Sequence, residues 1–78
     1  MAASKINSLT IIKHQPVSNS DKELVQMIAD DISRAEIAAK LELSERTIEA
    51  KIDRIRGRYN CRNVVSLVML FKRNNLID

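Results

Sequence analysis

The chain is poor in several residue types, and each shortage removes a class of protein. It has one cysteine, Cys61, so no internal disulfide can form and no set of thiolates can hold zinc. One glycine and one proline leave too few turn residues for a sheet built of hairpins. The only aromatics are Tyr59 and Phe71, and both fall on apolar stripes at helical spacing. That pattern makes them core and argues against a base-stacking platform for single strands or RNA. His14 is the only histidine and stands outside the helical part of the chain, so it has no catalytic partner. There is no nucleophile–base pair, no metal-ligand cluster and no phosphate-cradling glycine loop. No enzyme, cofactor, metal or small-molecule substrate is therefore expected. No apolar run approaches the ~18 residues of a membrane span, and no membrane association is expected. Met1-Ala2-Ala3-Ser4-Lys5 lacks the apolar stretch of a signal peptide, so the chain reads as cytoplasmic.

What is present favours helices. The 78 residues are 45% apolar and 29% charged, which suits one small globular domain with a modest core. Ala, Leu, Ile, Glu, Lys and Arg dominate, so the expected fold class is all-α. The net charge of +3 conceals an asymmetry. Residues 21–45 hold three basic and seven acidic residues, net −4, whereas 46–78 hold eight basic and three acidic, net +5. A basic C-terminal half suits a polyanionic partner. A solvated helix face would give the same count, so charge alone does not decide.

Residues 1–16 show no helical period and read as an extended arm or linker, with Leu9 or Ile12 available to dock on the domain that follows at 17–78. Pro16 holds Gln15 extended. The spacing predicts four helices. The first starts at Ser20, where Ser20 and Glu23 form a capping box, and carries Leu24, Val25, Met27 and Ile28. It ends at Asp30-Asp31, with Asp31 expected in the left-handed region. Ser33 and Glu36 form a second box, opening a helix that runs to about Leu41. Ser44 caps a third helix from about Glu45 to Arg58. Tyr59 to Arg62 is a break, and Asn63 caps a fourth helix from about Val64 to Asn74. The fourth helix carries Val64, Leu67, Val68 and Phe71 on one stripe, Val65, Met69 and Leu76 on a second, and Leu70 in a third direction. So small a domain cannot bury all of these, and either a partner covers the excess or an exposed patch remains. A homodimer contact through Val65, Met69 and Leu70 is the expectation.

The organising stretch is Glu36 to Arg58. Ile37, Ala38 and Leu41 mark one helix, Leu43 and Ser44 interrupt, and Ile48, Ile52, Ile55 and Tyr59 mark the next at i, i+4, i+7 and i+11. The other faces of that second helix hold Arg46, Lys51, Arg54, Arg56 and Arg58. A short helix, a tight turn and a basic amphipathic helix form the pattern of a DNA-binding helix-turn-helix.

Residues 17–77 resemble the LuxR/FixJ/GerE-type helix-turn-helix domain. The resemblance rests on Glu36-Ile37-Ala38, Leu41, Leu43-Ser44, Thr47-Ile48-Glu49, Ile55 and Asn75-Leu76-Ile77. This chain departs from the family pattern in having Asp31 for a glycine, Lys51 for a histidine, and Tyr59-Asn60-Cys61 for Leu-Gly-Val. It also has Asp53 where relatives often carry a neutral or basic residue. The resemblance implies a compact four-helix domain that binds DNA as a homodimer through its fourth helix. Such domains usually follow a receiver or ligand-binding domain, and some stand alone.

The helix wheel separates the candidate site residues. Opposite the isoleucine stripe lie Arg46, Ala50 and Gly57, with Asp53 and Arg54 beside them and Glu49 on the flank. Arg46 and Arg54 can donate to guanine, Ala50 can touch a thymine methyl, and Glu49 can accept from cytosine N4; Asp53 completes the candidate base-reading set. Arg34, Ser44, Thr47, Lys51 and Arg58 are expected at phosphates. Each has a plainer reading: Thr47 as a cap, Glu49 and Asp53 as partners of nearby cations including Arg46 and Arg56, and Arg56, Arg62 and Lys40 as solvated surface. Two functions follow: sequence-specific binding of double-stranded DNA in transcription control, or a helix-turn-helix turned to protein–protein interaction.

Overall fold

The computed structural model describes residues 17–78, and within them every regular element is an α-helix: α1 Asn19–Ala29, α2 Arg34–Leu41, α3 Glu45–Arg58 and α4 Val64–Arg73. The arm expected over residues 1–16, with Leu9, Ile12 and His14, lies outside the described residues.

Each helix begins on a side-chain cap. Ser33, Ser44 and Asn63 accept from the backbone N–H groups of Glu36, Thr47 and Ser66 at 3.1, 3.1 and 2.8 Å, as their positions predict. The first helix differs from expectation. Ser18, not Ser20, is its cap and accepts from the Asp21 N–H at 3.1 Å, so the expected Ser20–Glu23 box does not form. Two serines two residues apart are both competent caps. The one used brings Val17 to the helix entrance, where it packs against the core.

The helices end in a shared way. Asp31, Glu42, Asn60 and Asn75 all have φ between 57° and 63°, the left-handed region usually given to glycine. In each case the next residue's N–H returns to a carbonyl five positions back: Ile32 to Met27, Leu43 to Ala38, Cys61 to Arg56 and Leu76 to Phe71, at 2.8–3.1 Å. Asp31 and Asn60 are legible as left-handed stops, because a short polar side chain eases that conformation. Glu42 offers no such signal. The single glycine, Gly57, is instead inside α3, and its φ is not positive.

Packing follows the stripes. The core comprises Leu24 and Val25 of α1, Ile37 and Ala38 of α2, Ile48, Ile52 and Ile55 of α3, Tyr59, and Leu67, Leu70 and Phe71 of α4. Tyr59 meets Phe71 edge to face, with centroids 5.7 Å apart and planes at 79°. The Tyr59 hydroxyl is buried and has no hydrogen-bond partner among the described residues. α2 packs chiefly on α3, and α1 on α4, so the helix-turn-helix is one layer and the outer pair its support. Near the C-terminus the Asp78 N–H donates to Gln26 Oε1 at 2.8 Å, tying that end to α1.

Two expectations about side chains need correction. Leu70 was expected on the outward side of α4; it is 8% exposed and belongs to the core, leaving Val65 and Met69 as the outward apolar residues. An apolar stripe gives an angle around one helix but not the angle at which a second helix covers it. Arg56 was expected on solvated surface. It is half-buried, with Nη1 donating to Asp53 at 3.0 Å, Nη2 donating to the Arg62 carbonyl at 3.0 Å, and Nε buried without a partner among the described residues.

Candidate nucleic-acid interface

The α2–α3 pair presents a continuous exposed surface because the turn between them is only three residues, Glu42-Leu43-Ser44. Ser44 holds that turn twice: its Oγ accepts from the Thr47 N–H at 3.1 Å and its hydroxyl donates to Thr47 Oγ1 at 2.9 Å. Of the two hydroxyls expected at phosphates, both are therefore engaged with one another as a cap.

On α3 the buried and outward sides separate as the wheel requires. Ile48, Ile52, Ile55 and Tyr59 are buried, while Arg46, Glu49, Ala50, Asp53, Arg54 and Gly57 are exposed. An ideal Cβ placed on Gly57 meets nothing within 4 Å. Neither Gly57 nor Ala50 is small because the fold demands it. Arg46, Arg54 and Lys51 have no ion-pair partner among the described residues, so these three cations are unspent. Lys51 is half-buried and lines a shallow cavity with Ser20, Asp21 and Leu43.

The two carboxylates on this side are paired. Arg34 Nε of α2 donates to Glu49 Oε2 at 2.9 Å across the motif. Asp53 is held by Arg56 on its own helix, at the i, i+3 spacing considered for it. Arg58 reaches back to Asp21 of α1 at 3.3 Å. Two of the expected phosphate ligands, Arg34 and Arg58, thus have carboxylate partners within the fold. These pairs are solvent-exposed, and each contributes about 0–1 kcal/mol to stability. Periodicity could not have found Arg34–Glu49 or Arg58–Asp21, since the partners stand 15 and 37 residues apart.

Cys61 is half-buried against the core, with Sγ 3.8 Å from the Tyr59 carbonyl. Burial pushes its thiol pKa up, and the positive charge of Arg56 offsets this in part. It is a packing residue held as the thiol.

The family model for bacterial regulatory proteins of the luxR family (GerE) matches residues 15–71, covering all of the helix-turn-helix and most of α4. The chain belongs to the luxR family of bacterial regulatory proteins. No curated protein and no solved structure shows significant similarity to it. As a luxR-type helix-turn-helix domain, it is a DNA-binding module of bacterial transcription regulation, with DNA as its partner. No helix among the described residues is long and apolar enough to cross a membrane.

Proposed function

We propose that the chain is a cytoplasmic, sequence-specific reader of double-stranded DNA that acts as a homodimer, with 17–78 as the binding domain and α3 in the major groove. The observation that carries this reading is the outward face of α3. It combines Arg46 and Arg54, which have no ion-pair partner among the described residues, with small residues at its centre, Ala50 and Gly57. A face that is cationic at its edges and low in the middle lets a helix approach base edges closely. Arg46, Arg54, Ala50, Glu49 and Asp53 form the base-reading set. Lys51 attracts phosphates, and Ser44, Thr47 and Arg58 reach them only by sharing or exchanging their internal partners.

The dimer uses α4. Val65 is 66% and Met69 52% exposed, both on the side of α4 away from the core. A second copy of the same helix would cover them symmetrically. Two recognition helices would then meet half-sites about one helical turn, ~10 base pairs, apart.

An unbiased binding-site selection tests all of this together. It should return a paired motif of that spacing, with affinity falling steeply as salt rises. Exchange of DNA for a protein partner is the competing reading, motivated by Glu49 and Asp53 on the outward face. Recovery of no preferred duplex at low salt would favour it.

A further inference from the structure

A helix that meets a polyanion is poorly served by carboxylates, yet α3 carries Glu49 and Asp53 on its exposed side. Both are paired, but differently. Asp53 is bound by Arg56, which is itself fastened to the Arg62 carbonyl, so this pair is drawn toward the α3–α4 turn. Glu49 is bound from the other helix of the motif: Arg34 Nε holds Oε2 at 2.9 Å, and Oε1 has no partner among the described residues. Glu49 remains 54% exposed in this arrangement.

We propose that Glu49 selects a base pair by accepting from an exocyclic amino group, cytosine N4 or adenine N6, and that Arg34 is its positioning residue rather than a phosphate ligand. The proposal rests on the reading of α3 as a base-reading helix and deepens it. A free glutamate samples many rotamers and carries a charge that phosphates repel. Arg34 removes both handicaps, since it fixes one oxygen and offsets the charge before DNA arrives. The remaining oxygen is an acceptor only. It is attracted by the amino donors of cytosine and adenine and repelled by guanine O6 and N7 and by thymine O4.

The test is binding-site selection, with melting curves to check the fold, on the wild type, Glu49→Ala, Arg34→Ala, Arg34→Lys and the double alanine variant. Glu49→Ala should lose roughly tenfold discrimination at one position of each half-site and keep the others. Arg34→Ala should lose discrimination at the same position and bind all duplexes more weakly. The double variant should bind better than Arg34→Ala alone, because the uncompensated carboxylate is gone, and Arg34→Lys should restore part of the preference. The proposal is overturned if Glu49→Ala leaves every base preference in place. It is equally overturned if Arg34→Ala weakens all sequences by the same factor with and without Glu49, the signature of a phosphate ligand. A wild type without any preferred sequence would remove the base-reading role of α3 and this proposal with it.

Discussion

The two sides of α3 belong to one helix and obey different rules. The buried side is Ile48, Ile52, Ile55 and Tyr59, four apolar bodies at helical spacing, all within the core. Their identities answer to volume and shape. The outward side is Arg46, Glu49, Ala50, Asp53, Arg54 and Gly57, which touch little of the domain apart from the Arg34 and Arg56 pairs. Nothing in packing requires that combination of long cations, held carboxylates and small residues. The luxR family is one of DNA-binding regulators, and the function proposed above gives this side of the helix to the duplex.

Substitutions that act on one side only should break the comparison cleanly. On the buried side, Ile52→Ala should cost about 2–5 kcal/mol, because it removes transfer energy and leaves a cavity in the buried cluster. In a small domain of marginal stability that is enough to lower the melting midpoint drastically or unfold the protein. Thermal melting followed by circular dichroism checks it.

On the surface of α4, Met69→Glu should leave the fold within about 0.5 kcal/mol of the original, since the side chain is half in solvent. It should weaken self-association and cooperative occupation of paired half-sites. Sedimentation and cooperativity that do not change would move the dimer contact off Val65 and Met69.

The smallest effect sharpens the contrast. Gly57→Ala should stabilise the domain by about 0.5–1 kcal/mol, because a helical glycine is costly and the added methyl meets open space. A rise of a few degrees in melting temperature, measured beside duplex affinity, would show whether the outward side holds this glycine at the expense of the fold. No change in stability would mean that α3 is frayed at that point.

How much of this could be read from the residues alone differs between the two sides in the same way. Ile48, Ile52 and Ile55 were readable because a repeat of 3.6 depends only on the helix itself. So were Ser33, Ser44 and Asn63, whose capping chemistry is local, and Asp53–Arg56, which lies within one turn. Ser18 was missed because Ser20 is an equally good local cap, and the choice depended on where Val17 packs. Leu70 was misplaced because burial on α4 depends on what the rest of the domain covers. The Arg34–Glu49 pair was invisible for a related reason: only the folded turn brings α2 beside α3. Glu42 in the left-handed region had no sequence signal, since the short turn, not the residue, imposes φ 58°.

The central claim is that the outward side of α3 serves a duplex and not the fold. Ala50→Glu tests it most directly. Ala50 is exposed, and Arg46 and Arg54 stand four residues to either side of it on the same helix, so the substitution is compatible with the folded domain. Melting curves and duplex affinity, for a selected site and for a scrambled one, should be measured on both proteins. The account predicts a melting midpoint within a few degrees of the original and loss of the preference for the selected site. Retained preference for that site in a folded Ala50→Glu protein would contradict it.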